Sequence, residues 1–152
     1  MGLFTFIKNA GKKLFGKKED EAPIEEKAEL KAKTLLEHVQ FLGLPFKSLT
    51  IILKEDTVFL EGTVEKQVDS EKIVLAVGNV EGVEAVDNNM TVEIPAPEAK
   101  YHTVISGDWL SKIAEKYYGD ATKYNVIFEA NKPMLNDPDE IYPGQVLRIP
   151  IL

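Results

Sequence analysis

Hydrophobic and polar positions change their spacing several times along the chain, and each change marks a predicted element. Leu3, Phe4, Ile7, Ala10, Leu14 and Phe15 recur at helical spacing with lysines on the opposite face, which predicts a short amphipathic helix within residues 1–18. Gly11 and Gly16 weaken that helix. The charged run Lys17-Lys-Glu-Asp-Glu-Ala-Pro23 reads as a solvated linker. A second helix follows from about Ile24 to Leu42, with Leu30, Leu35, Leu36 and Val39 on its apolar stripe and Gly43-Leu-Pro45 as its stop.

The period then falls to two. Ser48 to Leu53 leads through a Lys54-Glu-Asp56 turn into a segment where Val58, Leu60, Gly62 and Val64 alternate with Phe59, Glu61 and Thr63, which predicts a hairpin. A helix capped by Asp69 or Ser70 presents Ile73, Ala76 and Val77 to the core and ends at Gly78. A strand from Glu84 to Val92 completes the order helix, strand, strand, helix, strand. Ile94-Pro-Ala-Pro-Glu98 interrupts both patterns and favours an extended connector over 94–99.

In residues 100–150, Tyr101-His-Thr-Val-Ile-Ser-Gly-Asp-Trp-Leu110 is answered by Ile141-Tyr-Pro-Gly-Gln-Val-Leu-Arg-Ile-Pro150. Two strands bracket two helices there. The first helix is expected to be capped by Asp108, to turn Leu110, Ile113, Ala114 and Tyr117 inward, and to close at Gly119. The second holds Tyr124, Ile127 and Phe128, and a loop from Asn131 to Pro143 leads into a strand at Val146 to Ile149.

Composition narrows the function classes. The net charge of -7 argues against a nucleic-acid partner. Five lysines and no acid fall in residues 1–18, so the remaining chain carries 13 basic against 25 acidic residues, an acidic body with a basic head. The chain has no cysteine, so disulfides and thiolate sites are excluded, in keeping with a reducing cytosol. Met1-Gly-Leu-Phe-Thr-Phe-Ile7 places apolar residues before the lysines, the reverse of a signal peptide, and no export signal is expected. No apolar run reaches the roughly 20 residues of a membrane span. Phe6 stands where a myristoylation signal has Ser or Thr.

Catalytic chemistry has little to work with. His38 and His102 lie in different predicted units without a serine or metal-ligand partner at a telling spacing, and both are expected to be structural or surface residues. Gly78-Asn-Val-Glu-Gly82 lacks the lysine and glycine register of a phosphate loop. Asn136-Asp-Pro-Asp-Glu140 lacks the EF-hand ligand pattern and its central glycine, and reads as a solvated acidic loop. A binding protein, not an enzyme, is expected. Sequence patterns do mark where unpaired carbonyls gather, namely helix C-termini. The Gly78 helix end with its Asn79 to Val83 loop fits that description and the glycine-broken stretch around Ile7 to Lys12 is another candidate, although on the residues alone Gly78 and Gly82 simply end a helix and shape a turn.

Residues 24–93, with Val58-Phe-Leu-Glu-Gly-Thr-Val64 and Val80-Glu-Gly-Val-Glu-Ala-Val86, resemble a BON domain, and residues 100–150 resemble a LysM domain. The predicted class is α+β, two small domains preceded by a short amphipathic helix. The LysM resemblance places a sugar groove between Gly107, Asp108, Trp109 and Leu110 on one side and Asn131, Lys132, Pro133 and Ile141 to Gly144 on the other. Trp109 stands where a small hydroxyl residue is usual, and internal packing is expected of it. Gly107 and Gly144 are expected to serve the turns.

One BON followed by one LysM, with Ala76-Val-Gly-Asn-Val80 and Ile127-Phe-Glu-Ala-Asn-Lys-Pro-Met134, is similar over the whole chain to the small bacterial cytoplasmic potassium-binding proteins. That resemblance implies selective, reversible potassium binding by main-chain oxygens of Ile7, Ala10, Lys12, Gly78, Val80 and Val83. Lys12 replaces an acidic residue there, which weakens affinity unless its ammonium points into solvent. Ammonium and larger alkali cations are expected competitors, and sodium is not. A cytoplasmic monomer is expected, acting as a sensor or buffer in which the ion ties the head to the BON domain and draws the LysM unit into a compact arrangement. Two alternatives stand beside it. One is an envelope protein binding peptidoglycan through LysM and phospholipid through BON, and the other is a scaffold without ligand.

Overall fold

The computed structural model describes residues 2–152, with the backbone alone at Glu25. The chain divides into two compact units, the first ending at Ala96 and the second running from Pro97 to Leu152.

The first unit is a four-stranded sheet with helices on one face. Its strands are β1 (Gly2–Thr5), β2 (Ser48–Lys54), β3 (Thr57–Lys66) and β4 (Ala85–Ile94), in the order β1-β4-β3-β2. Its helices are α1 (Lys17–Asp20), α2 (Ile24–Phe41) and α3 (Gln67–Gly78). The hairpin of β2 and β3 pairs Leu53 with Val58 and Lys54 with Thr57. Helix α3 then crosses over so that β3 and β4 run parallel in the centre, Val58 opposite Val86 and Leu60 opposite Asn88. Alternation turns Val58, Leu60, Val64, Val86 and Met90 to the helices, where all are fully buried beside Leu35 and Val39 of α2. From Ile73 to Gly78 helix α3 is buried all round. A helix sandwiched in this way needs cover on its outer side, and the N-terminal segment supplies it over the last turn.

That segment departs from the predicted helix. Residues Gly2–Thr5 form a strand antiparallel to β4, with Leu3 opposite Asp87 and Phe4 opposite Val86. A short N-terminal helix is present, but it is the single turn Lys17–Asp20, where the charge run predicts a linker. The edge of β4 offers a row of backbone hydrogen-bonding groups, and pairing with it outweighs the weak helical preference of a stretch broken by Gly11 and Gly16. The predicted cap of α3 also differs. Asp69 lies inside the first turn and accepts from the Lys66 amide at 3.3 Å, while the Ser70 hydroxyl accepts from Asn88 Nδ2 at 2.9 Å in the core.

The second unit contains β5 (Lys100–Thr103), α4 (Leu110–Tyr118), α5 (Tyr124–Ala130) and β6 (Val146–Ile149). A one-turn 3-10 helix at Ala121–Lys123 precedes α5. Strands β5 and β6 pair antiparallel, with His102 opposite Leu147. Their core consists of Val104, Leu110, Ile113, Ala114, Ile127, Leu135, Leu147 and Ile149. Gly119 ends α4 with φ 71, as its position predicts.

Candidate functional site

The end of α3 leaves backbone polarity over, as helix C-termini do. A helix that continued past Gly78 would use the amides of Glu81 and Gly82 as donors to the carbonyls of Val77 and Gly78. Both amides turn elsewhere. Glu81 donates to the Lys12 carbonyl at 2.9 Å and Gly82 to the Lys8 carbonyl at 2.7 Å. The last turn of α3 holds no basic side chain, so the negative end of its dipole is not neutralised from within the helix.

The N-terminal segment is fixed onto this helix end by its main chain. Phe6 donates to the Glu84 carbonyl at 2.8 Å, Lys12 to Asn79 at 2.9 Å, and a parallel bridge pairs Lys12 with Val80. Lys8 adds an ion pair from its ammonium to Asp56 at 2.8 Å. The Asp56 hydrogen bond and charge, with a smaller push from Glu84, raise the Lys8 pKa against the opposing effect of burial. The Asp56 carbonyl in turn accepts from Glu84 at 2.9 Å, so the β2–β3 turn, the head and the turn after α3 are linked in one circuit.

Two groups of residues singled out in the sequence therefore meet here. Ile7, Ala10 and Lys12 lie on the head, and Gly78, Val80 and Val83 lie on the helix end and its turn. The Ile7, Lys12 and Val80 carbonyls each accept one backbone bond, from Ala10, Glu81 and Val83 at 3.1, 2.9 and 3.0 Å, which leaves each a second lone pair. Among the described residues, the carbonyls of Ala10, Gly78 and Val83 accept no hydrogen bond. The Lys12 side chain is exposed, and its charge acts on half-buried His38, whose pKa is lowered first by burial and then by Lys12. Sequence reasoning missed Phe6, Lys8 and Asp56. It also read Gly11 only as a weakness in a helix. Among the described residues, no three His, Cys, Asp or Glu side chains gather as a metal-ligand set.

In the second unit, the predicted groove residues play other parts. Asp108 does not cap α4. Its carboxylate accepts from the Ile105 amide at 3.1 Å and faces His102 Nε2 at 2.9 Å, while His102 Nδ1 meets the Tyr117 hydroxyl at 3.0 Å. Burial pushes the Asp108 pKa up, but the His102 and Ile105 hydrogen bonds, with the charges of His102 and Lys112, outweigh it and hold the carboxyl below its ordinary value. His102 is a buried structural residue, in keeping with its sequence context. Asn131 is a buried pin rather than a groove wall: its Oδ1 accepts from the Arg148 amide at 2.8 Å and its Nδ2 donates to the Ile127 and Arg148 carbonyls at 2.7 and 3.0 Å. Trp109, expected to pack internally, is 56% exposed, with the Lys112 ammonium 5.1 Å from its ring centre. Gly107 and Gly144 both have φ 90, the turn geometry expected of them.

Comparison with known proteins matches residues 27–94 to the BON domain and residues 102–150 to the LysM domain. The chain is 44% identical over 151 residues to the potassium binding protein Kbp of Escherichia coli O6:H1, covering 99% of each chain. It is 35% identical over 131 residues to an uncharacterized protein of Deinococcus radiodurans, covering 78% of this chain and 51% of that one. A shorter match, 40% identical over 60 residues, joins it to the uncharacterized protein YqbP of Bacillus subtilis, covering 34% and 27%. No helix among the described residues is long and apolar enough to cross a membrane.

Proposed function

Because the chain belongs to the family of the Escherichia coli potassium binding protein Kbp, we propose that it binds potassium selectively and reversibly. It is a binding protein and not an enzyme: BON and LysM are binding modules, joined here in that order. The observation that carries the reading is the diversion of the Glu81 and Gly82 amides to the head, which takes from the Val77 and Gly78 carbonyls the donors a continuing helix would supply. The proposed ligands are the main-chain oxygens of Ile7, Ala10, Lys12, Gly78, Val80 and Val83.

Potassium is large and weakly hydrated, so a ring of neutral carbonyl dipoles replaces its water shell at small cost. Sodium holds its water more tightly and fits such a ring poorly. Ammonium and the heavier alkali cations, being of similar size, compete. The helix dipole supplies negative potential without a carboxylate ligand, and the pairing of Lys8 with Asp56 keeps one nearby ammonium engaged away from the carbonyls. An ion shared by the head and the helix end binds only when the two are together, so potassium shifts the population toward the docked head. On this reading the protein works as a cytoplasmic sensor or buffer, and docking extends to a more compact arrangement of its BON and LysM units.

The test is thermal unfolding of metal-free protein at matched ionic strength, titrated with potassium or with sodium. A ligand preferring the native state must raise its melting temperature. A saturable rise with potassium alone supports the reading. Equal responses to the two salts reduce the effect to screening and contradict it. Exposed Trp109 favours a second reading, in which the LysM unit keeps a surface for a stacking ligand such as a sugar, tested by adding soluble peptidoglycan fragments and following tryptophan fluorescence.

A further inference from the structure

We infer that Gly11 is the positioning residue of the proposed potassium site, an inference that rests on the reading just given. The segment from Lys8 to Lys12 is bonded to the turn after α3 at both ends, through Gly82 to Lys8 on one side and through Lys12 to Asn79 and Glu81 to Lys12 on the other. Gly11 lies between these bonds, against the main chain of Asn79 and Val80. A β-carbon there would stand 2.5 Å from Val80 N and 2.6 Å from the carbonyl carbons of Asn79 and Val80.

Those three atoms belong to the backbone and cannot swing aside as the end of a side chain would. Val80 is fully buried, so its own peptide has no room to retreat. The φ of Gly11 lies outside the left-handed region, so conformational freedom does not explain the glycine. Contact does. Any side chain at position 11 lifts the head from the turn, and the carbonyls of Ile7, Ala10 and Lys12 move away from those of Gly78, Val80 and Val83. Gly16 is the natural control, because a β-carbon there meets nothing within 4 Å.

The test compares full-length Gly11→Ala and Gly16→Ala with the unaltered protein, by calorimetric titration with potassium chloride at constant ionic strength and by amide hydrogen exchange. Gly11→Ala is expected to lose about tenfold or more in potassium affinity. It is also expected to lose protection at the Lys12, Glu81 and Gly82 amides while the β3 amides of Leu60 and Val64 stay protected. Gly16→Ala is expected to stay within about twofold of the unaltered protein. Unchanged affinity and protection in Gly11→Ala would overturn the inference, as would loss of protection throughout β3, which would make Gly11 a requirement of the fold. If the unaltered protein ignores potassium, the ion reading falls, and the exchange comparison alone decides whether Gly11 seats the head.

Discussion

The aromatic ring of Phe6 occupies the space where a side chain on Gly78 would stand, so the head closes over the last turn of α3 only because that turn ends in glycine. Gly78→Ala should therefore overpack this contact and destabilise the first unit by about 1–3 kcal/mol in urea unfolding. Phe6 is only 7% exposed, and Phe6→Ala should cost about 3 kcal/mol by itself. The two losses should not add, since removing the ring removes the clash. Additive losses would show that the two residues do not act through each other.

Lys8 and Asp56 connect the head to the β2–β3 turn across the surface. A double-mutant cycle with Lys8→Met and Asp56→Asn is expected to give a favourable coupling that fades as ionic strength rises. A coupling insensitive to salt would contradict an exposed ion pair. If Lys8 also keeps its ammonium from competing with the ion, Asp56→Asn should weaken potassium binding more than the double variant does.

Asn131 satisfies three backbone groups of the second unit from inside its core. Asn131→Ala leaves the Arg148 amide and two carbonyls without this partner and should lower stability by about 1–3 kcal/mol, read by thermal unfolding of the full chain. A change within the error of the measurement would show that the site collapses around the loss.

Asp108 should make the second unit acid-sensitive. Its pKa is depressed below the ordinary 3.8, so the unfolded chain takes up the proton more readily than the folded one. Its contribution is complete above the unfolded value and is lost as pH falls through the lower, folded value. In Asp108→Asn the loss of stability on acidification from about pH 5 to pH 2 should be smaller than in the unaltered protein. An identical acid dependence would assign that sensitivity to other carboxylates.

Much of this architecture is legible in the sequence because it is local. The alternation from Val58 to Val64, the stop at Gly78, the turn at Gly119 and the strand at Val146 to Ile149 all reappear in the fold. The head is not legible in the same way. Leu3 and Phe4 fit a helical stripe, yet the free edge of β4 decides their conformation, and the local sequence carries no mark of the partners Val86 and Asp87. Asp108 reads as a helix cap because its spacing is right, but His102 outcompetes the helix from a neighbouring strand. Gly11 reads as a defect and proves to be a contact, which only the position of Val80 reveals. The proposed ligand carbonyls are invisible in principle, because every residue type carries one.

The measurement that bears most directly on the central claim is a potassium titration of isotope-labelled, metal-free protein followed at the backbone carbonyl carbons. Saturable shifts centred on Ile7, Ala10, Lys12, Gly78, Val80 and Val83 are expected, with no saturable change when sodium replaces potassium. Shifts confined to carboxylate side chains, or the same profile with sodium, would contradict it.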